Sequence, residues 1–331
     1  MTRLLVTGGA GYIGSHTAKR LAHYGHETLV YDNLSRGHRD FVKWGPLVEG
    51  DLHNTALLRE TLRWFKPEVV LHFAAFAYVG ESVGNPGLYY ENNVGGTVSL
   101  LQAMQACGIS RIVVSSTCAT YGQPDHLPIT EMTPQRPINP YGQSKLMVEQ
   151  ICSDFERAYG LRHVALRYFN ACGGDPDGEI GERHTPEPHL IPRLFMAQDG
   201  EIDALEIMGN DYPTPDGTCI RDYIHVNDLA EAHIKAAEYL LANGKSDAFN
   251  LGTGQGISVQ EIIRIAVEVT GRPVPHRIGP RRSGDPAMLV ADASKARRVL
   301  NWTAGNSDMA HVLDTAWGWH KKEQEQRAAV R

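Results

Sequence analysis

The stretch Tyr141-Gly-Gln-Ser-Lys145 places a phenol and an ammonium group four residues apart in a sequence that reads as helical as far as about Ala158. That spacing puts both on one helical face, one turn apart. A free tyrosine titrates near pH 10, so only about 1 in 1000 is phenolate at neutral pH. A nearby lysine cation, joined by a second cation such as an oxidised nicotinamide ring, favours the phenolate. Lowering the pKa by about three takes roughly 4 kcal/mol of differential interaction and would leave a general base at neutral pH. Upstream, Ser115-Ser116-Thr117 ends the β-branched run RIVVSS, and a hydroxyl there can share a substrate proton with Tyr141.

The second constellation is TGGAGYIG, from Thr7 to Gly14, directly after the first apolar run. Gly8, Gly11 and Gly14 permit a tight strand-to-helix turn, and exposed amides at the helix start hold a pyrophosphate. Asp32 lies 18 residues after Gly14, at the end of the second run. A carboxylate there accepts bonds from a ribose 2′-hydroxyl and repels a 2′-phosphate, which argues NAD over NADP, although Arg36 nearby weakens the preference.

These groups need a scaffold. RLLVT (3–7), HETLVYD (26–32), PLVEG (46–50), EVVLHFA (68–74), RIVVSS (111–116) and RHVALRY (162–168) are short apolar runs bounded by Gly, Asp or Asn. They alternate with amphipathic stretches such as SHTAKRLAHYG, TALLRETLRWF and TVSLLQAMQACG. The pattern predicts an α/β fold, a Rossmann-type doubly wound parallel sheet whose ligands bind at the carboxyl ends of its strands. Beyond about residue 170 the texture changes, and ACGGDPDGEIGERHTPEPH reads as a long loop of the kind that is usually functional. We expect a dinucleotide domain over 1–170, rejoined by 223–252, and a smaller mixed α/β substrate domain from 171–222 and 253–331. Ser258 and Glu261 predict a capping box.

Composition narrows the partners. The 331 residues carry 32 Lys and Arg against 38 Asp and Glu, a net charge of −6 with no basic tract, which makes nucleic acid an unsuitable partner. No apolar run approaches the ~18 residues of a spanning helix, and RLLVTGG is too short for a signal peptide. Five scattered cysteines without a CxxC pair read as reduced thiols of a cytoplasmic protein. His184 and His189 are the nearest metal suspects, but a gap of five matches no usual zinc spacing, so they are taken as loop residues and no metal is expected.

The motifs TGGAGYIGSHT, VYDNLS, HFAA, VGESV, YYENNV, NPYGQSKLMVEQ, LRYFN, GNDYPTPDGTCIRDYIHV, NLGTG and RRSGDPAMLVADASKA together resemble the extended short-chain dehydrogenase/reductase family, most closely its UDP-glucose 4-epimerase branch. The likeness runs over about residues 3–302. It implies Tyr141 as catalytic base, Lys145 as its electrostatic partner and Thr117 as the hydroxyl of the trio. For NAD it implies Gly8, Gly11, Tyr12, Ile13, Gly14, Asp32, Asn33, Asp51, Leu52, Phe73, Ala74, Ala75, Asn92, Tyr141, Lys145 and Tyr168. For a UDP-sugar it implies Thr117, Tyr141, Asn170, Leu190, Arg221, Arg282 and Asp285. Two arginines suit a diphosphate on chemical grounds as well. A homodimer packed through helices, including the one bearing Tyr141, is also implied.

Three departures from the family pattern stand out: Ala77 where many bacterial members have Lys, Thr117 in place of the commoner Ser, and Leu289 at a position that limits room beside the sugar C2 substituent. The implied chemistry is a hydride loan at the sugar C4, with the 4-keto sugar turning over while its UDP holds it. A 4,6-dehydratase needs an acid after the Thr, and Thr117-Cys118-Ala119 has none. A UDP-N-acetylhexosamine or UDP-pentose 4-epimerase would use the same parts. So would a net sugar dehydrogenase, and a redox-sensing binding protein could share the scaffold.

Overall fold

The computed structural model describes residues 1–282 and 285–329. The chain runs β1 (Arg3–Thr7), α1 (Tyr12–His23), β2 (Glu27–Asp32), β3 (Leu47–Glu49), α2 (Thr55–Phe65), β4 (Val69–His72), α3 (Val79–Gly84), α4 (Pro86–Tyr89) and, after a π-helical turn at Tyr90–Gly95, α5 (Gly96–Ala106). It continues through β5 (Arg111–Thr117), α6 (Pro140–Tyr159), β6 (Arg162–Tyr168), β7 (Asn170–Cys172), α7 (Leu190–Asp199), β8 (Leu205–Met208), β9 (Ile220–His225), α8 (Val226–Leu241) and β10 (Asp247–Leu251). The last elements are β11 (Gly256–Ser258), α9 (Val259–Thr270), β12 (His276–Gly279), β13 (Met288–Leu289), α10 (Ser294–Leu300) and α11 (Met309–Ala329).

Seven strands form one sheet in the order β10-β6-β5-β4-β1-β2-β3, parallel throughout. Successive residues of β1 serve opposite faces. Leu4 and Val6 pack with α8 residues Leu229, Ala232 and Ala236, while Leu5 packs with Leu58, Leu62 and Leu100 from α2 and α5. A parallel sheet buried on both sides requires such unbroken apolar runs, which is why the six strands are readable from composition.

Helix ends follow local chemistry. Asn54 caps α2 by accepting from Leu57 N at 3.2 Å, and Lys66, with φ +50°, ends it. The predicted capping box of α9 is present: the Ser258 side chain accepts from Glu261 N at 3.1 Å, and the Glu261 carboxylate accepts from Ser258 N at 2.9 Å.

In the second layer β9 pairs with β7, β11 and β13, β8 pairs with β12, and α7, α9 and α11 close over them. The expected division needs two adjustments. Residues 223–225 belong to β9 and stay in this small sheet, so the chain rejoins the large sheet's layer only with α8. Ala293, Ala296, Leu300 and Trp302 pack into the large sheet's core beside Phe249 and Leu251, although 253–331 was expected in the smaller domain. Among the described residues no helix is long and apolar enough to cross a membrane.

Candidate active site

The predicted cofactor residues gather at one edge of the large sheet because each follows the carboxyl end of a parallel strand. Gly8, Gly11, Tyr12, Ile13 and Gly14 follow β1; Asp32 and Asn33 close β2; Asp51 and Leu52 follow β3; Phe73, Ala74 and Ala75 follow β4. Thr117 ends β5, Tyr168 ends β6, and Asn92 lies in the turn leading into α5. Gly8 has φ +73°, and a Cβ there would sit 2.5 Å from Ala74 N. A Cβ on Gly14 would overlap the Gly8 carbonyl oxygen. The turn thus closes only with glycine, and α1 begins without a side-chain cap, leaving its first amides available to an anion.

Asp32 is buried, and its carboxylate accepts from Ala10 N at 3.0 Å and Leu34 N at 2.8 Å. Burial pushes its carboxyl up, with those two bonds opposing. Each oxygen keeps a lone pair for a further donor. Asn33 donates to Asp51 at 2.7 Å; burial of Asp51 is outweighed by its bonds from His53 and Asn33, which hold it below the usual carboxylate range. Arg36, expected to weaken the preference for NAD, is engaged elsewhere. It pairs with Glu81 at 2.6 Å and lies over the Phe76 and Tyr78 rings.

The catalytic candidates meet where α6 starts against the end of β5. Asn139 caps α6 by accepting from Gly142 N at 2.8 Å, and Pro140 occupies the first turn. A Cβ on Gly142 would lie 2.5 Å from the Ala119 carbonyl oxygen, so glycine lets the helix start touch the strand end. One turn on from Tyr141, Lys145 is buried and donates to the Ser115 carbonyl at 2.9 Å. Burial lowers its pKa to about 8, with Glu149 opposing.

The expected acidification of Tyr141 is not a property of these residues by themselves. Burial pushes the phenol up to about 12, and a hydrogen bond with Thr117 opposes this only in part. The Lys145 ammonium is turned to the Ser115 carbonyl and does not offset the cost of burying a phenolate. The Tyr168 hydroxyl pairs with that of Ser115 and is likewise raised, mainly by burial.

One residue of this site was missed in the sequence. Glu149 follows Lys145 by one further helical turn, and its buried carboxylate accepts from Ser116 and from Arg167 Nη2 at 2.6 Å. The continued spacing of four along α6 was the available signal.

Across the cleft, Arg221 on β9 donates to the Ile220 carbonyl at 2.8 Å and to Asp285 at 2.5 Å, which joins two predicted substrate residues. Asn170 starts β7 and pairs in register with Tyr223; Leu190 is the first residue of α7. Arg282 is exposed, and its carbonyl accepts from Asp285 N at 3.2 Å; Ser283 and Gly284 of the RRSGDP motif lie outside the described residues. Leu289 on β13 packs against the cluster containing Cys118, next to Thr117. Tyr12 ties the two layers by donating to the Gly173 carbonyl at 2.6 Å. All five cysteines are free.

His184 and His189, read as loop residues, converge with Glu182 and Glu187. Burial works against charge on His189, but Glu182 and Glu187 outweigh it and push the imidazole up to about 10.

Residues 4–252 match the model of the NAD dependent epimerase/dehydratase family. The chain is 52% identical to a UDP-glucose 4-epimerase of Rhizobium leguminosarum bv. trifolii, over 97% of this chain and 98% of that one. Among solved structures it resembles the UDP-glucose 4-epimerase of Brucella ovis in complex with NAD, with TM-score 0.95, 54% identity and coverage of 97% and 99%. The UDP-Glc/GlcNAc 4-epimerase of Campylobacter jejuni follows at TM-score 0.85 and 38% identity, covering 97% and 100%. The chain belongs to the NAD dependent epimerase/dehydratase family, in its UDP-glucose 4-epimerase branch.

Proposed function

We propose that the chain interconverts UDP-glucose and UDP-galactose at the sugar C4, with NAD as resident cofactor. The observation that carries this is the meeting of Thr117, Tyr141 and Lys145 at the carboxyl edge of the same sheet that forms the glycine turn.

The cradle fits a dinucleotide. Gly8 and Gly14 leave no room for side chains at the turn, and Asp32 offers free lone pairs where a ribose would lie. Gly11, Tyr12 and Ile13 would hold the pyrophosphate, Asn33, Asp51 and Leu52 the adenosine end, and Phe73, Ala74, Ala75, Asn92, Lys145 and Tyr168 the remainder. When bound, NAD supplies a hydride acceptor that returns the hydride within the same cycle.

Tyr141 takes the proton from the sugar 4-hydroxyl and gives it back, with Thr117 sharing the proton between them. Lys145 holds positive charge one helical turn from the phenol, and Glu149 keeps that charge in place from the next turn. Arg221, Arg282, Asp285, Asn170 and Leu190 would hold the UDP portion while the hexose, gripped less, presents either face. Anchoring by the diphosphate is what makes the exchange effectively unimolecular.

The test is incubation with UDP-galactose and no added NAD, following UDP-glucose. Formation of UDP-glucose supports the reading; steady accumulation of NADH, or no product from cofactor-replete protein, refutes it. A wider substrate range is favoured by Leu289, which packs beside Cys118 and leaves more room than a tyrosine. On that ground UDP-N-acetylglucosamine should also turn over, and a UDP-pentose remains a smaller substrate for the same parts. We further propose a homodimer packed through helices that include α6, and a cytoplasmic location, for which the five free thiols are the support.

A further inference from the structure

Beside the proposed substrate residue Leu190, the loop entering α7 repeats a short pattern, Glu182-x-His184-x-x-Glu187-x-His189. We propose that these four side chains form a binding site for one divalent transition-metal ion of the zinc type. One ligand atom from each residue lies within 4.8 Å of every other. Four donors bonded to one ion at about 2.0–2.2 Å occupy a sphere of that size.

The geometry is convergent rather than paired. His189 Nδ1 lies 2.7 Å from a Glu182 oxygen and 3.1 Å from a Glu187 oxygen. His184 Nδ1 lies 3.5 Å and 3.3 Å from the same two carboxylates. A single N–H can be aimed well at only one acceptor, so two imidazole nitrogens each facing both carboxylates describe a shared centre better than two separate hydrogen bonds. Both carboxylates are largely withdrawn from solvent, with side-chain exposures of 9% and 8%. The two buried carboxylates need positive charge, which a divalent ion binding in place of the imidazole protons would supply.

The surroundings suit an ion. The Tyr78 ring stands edge-on to both imidazoles, at 5.5 Å and 6.2 Å, and walls one side. The backbone N–H of His189 donates to Glu187 at 2.9 Å, and Arg193 donates to the Glu187 carbonyl at 3.4 Å, so this ligand's position is already set. The cluster borders a cavity of about 320 Å³, which gives a hydrated ion a way in. Two nitrogen and two oxygen donors favour zinc and its first-row neighbours over magnesium or calcium, which take oxygen sets. The ion would pin the loop 182–189 to the segment carrying Tyr78. This inference does not depend on which reaction the chain performs.

The experiment titrates the full-length protein, freed of metal by chelation, with Co2+ as a visible-absorbing probe, and then displaces it with Zn2+. One saturable equivalent per chain, with d–d bands that Zn2+ removes, is expected. The double variant His184→Ala/His189→Ala should bind more than about tenfold more weakly. Glu187→Gln, which keeps its volume, provides the second arm if far-UV circular dichroism shows the double variant unfolded. Absence of a saturable equivalent overturns the proposal, because the cluster is then an ion pair held by protons alone. Undiminished binding in a folded variant overturns it equally, since the ion then sits elsewhere.

Discussion

Lys145 is a buried cation held by one main-chain acceptor, and its replacement by methionine separates its proposed catalytic role from its cost to the fold. Burial lowers its pKa from the ordinary 10.5 to about 8. At about 1.4 kcal/mol per pKa unit, keeping the ammonium charged inside the protein costs about 3 kcal/mol at neutral pH. Methionine removes that cost and fills similar volume. It also loses the bond to the Ser115 carbonyl at 2.9 Å, worth about 1.5–3 kcal/mol for a charged donor. Glu149 is not stranded, because Arg167 holds it at 2.6 Å. The two effects nearly cancel, so Lys145→Met should be as stable as the parent at pH 7, or more stable by up to about 2 kcal/mol.

The pH dependence carries the decisive sign. Below pH 8 both folded and unfolded chains hold the lysine proton, and the penalty is fully present. Between pH 8 and 10.5 the folded chain has released the proton and the unfolded chain has not, so parental stability rises with pH. The parent should therefore gain about 3 kcal/mol on the variant across that window. Denaturant unfolding followed by far-UV circular dichroism, with cofactor removed to exclude its own linkage, measures it. Epimerase activity of the variant should fall by about a hundredfold or more. A stability difference that does not move between pH 8 and 10.5 would show that Lys145 is not a penalised cation, and the reasoning fails.

Three further outcomes follow from contacts. Gly14→Ala forces a Cβ onto the Gly8 carbonyl oxygen and should cost about 1–3 kcal/mol, with NAD retention through gel filtration lost; unchanged retention would contradict the assigned cradle. Arg221→Lys keeps the charge beside Asp285 but loses the planar fork, so KM for UDP-galactose should rise about tenfold with kcat within a few-fold, read from initial rates. Leu289→Tyr adds bulk beside Cys118 and should suppress turnover of UDP-N-acetylglucosamine while sparing UDP-glucose; equal loss on both would mean that the position is structural.

The large sheet is legible in the sequence because its strands are buried on both faces, and Leu4, Leu5 and Val6 can only be apolar in succession. The small sheet is not, since β7, β11 and β13 are three residues or fewer and leave no period to detect. Glycine spacing placed the turn, and the spacing of four placed Tyr141 one helical turn from Lys145 on α6. What spacing could not show is direction through space. Arg36, near Asp32 in sequence, is turned away to Glu81. His184 and His189 meet only because the loop folds back on Glu182 and Glu187. The pKa of Tyr141 escaped for the same reason: four residues along a helix reveal the neighbour, not the burial that outweighs it.

That burial changes what the active site must accomplish. A phenol titrating at about 12 does so about five pH units above neutrality, and forming its anion at pH 7 costs about 7 kcal/mol. Even a unit positive charge at about 4 Å would recover only about 4 kcal/mol at the effective dielectric of a protein interior. Lys145 alone therefore falls short, all the more because its own charge is resisted by burial. A second cation is required, and an oxidised nicotinamide ring is the one that a bound dinucleotide brings. With a dinucleotide bound, the base strength of Tyr141 would be coupled to the cofactor's oxidation state, its phenolate being favoured beside a cationic ring and not beside a neutral one. On the proposed reading, Tyr141 would take the sugar proton while a bound ring is cationic and would return it as hydride goes back to the sugar and that charge is restored, which is the order of proton traffic that a reversible 4-epimerisation needs.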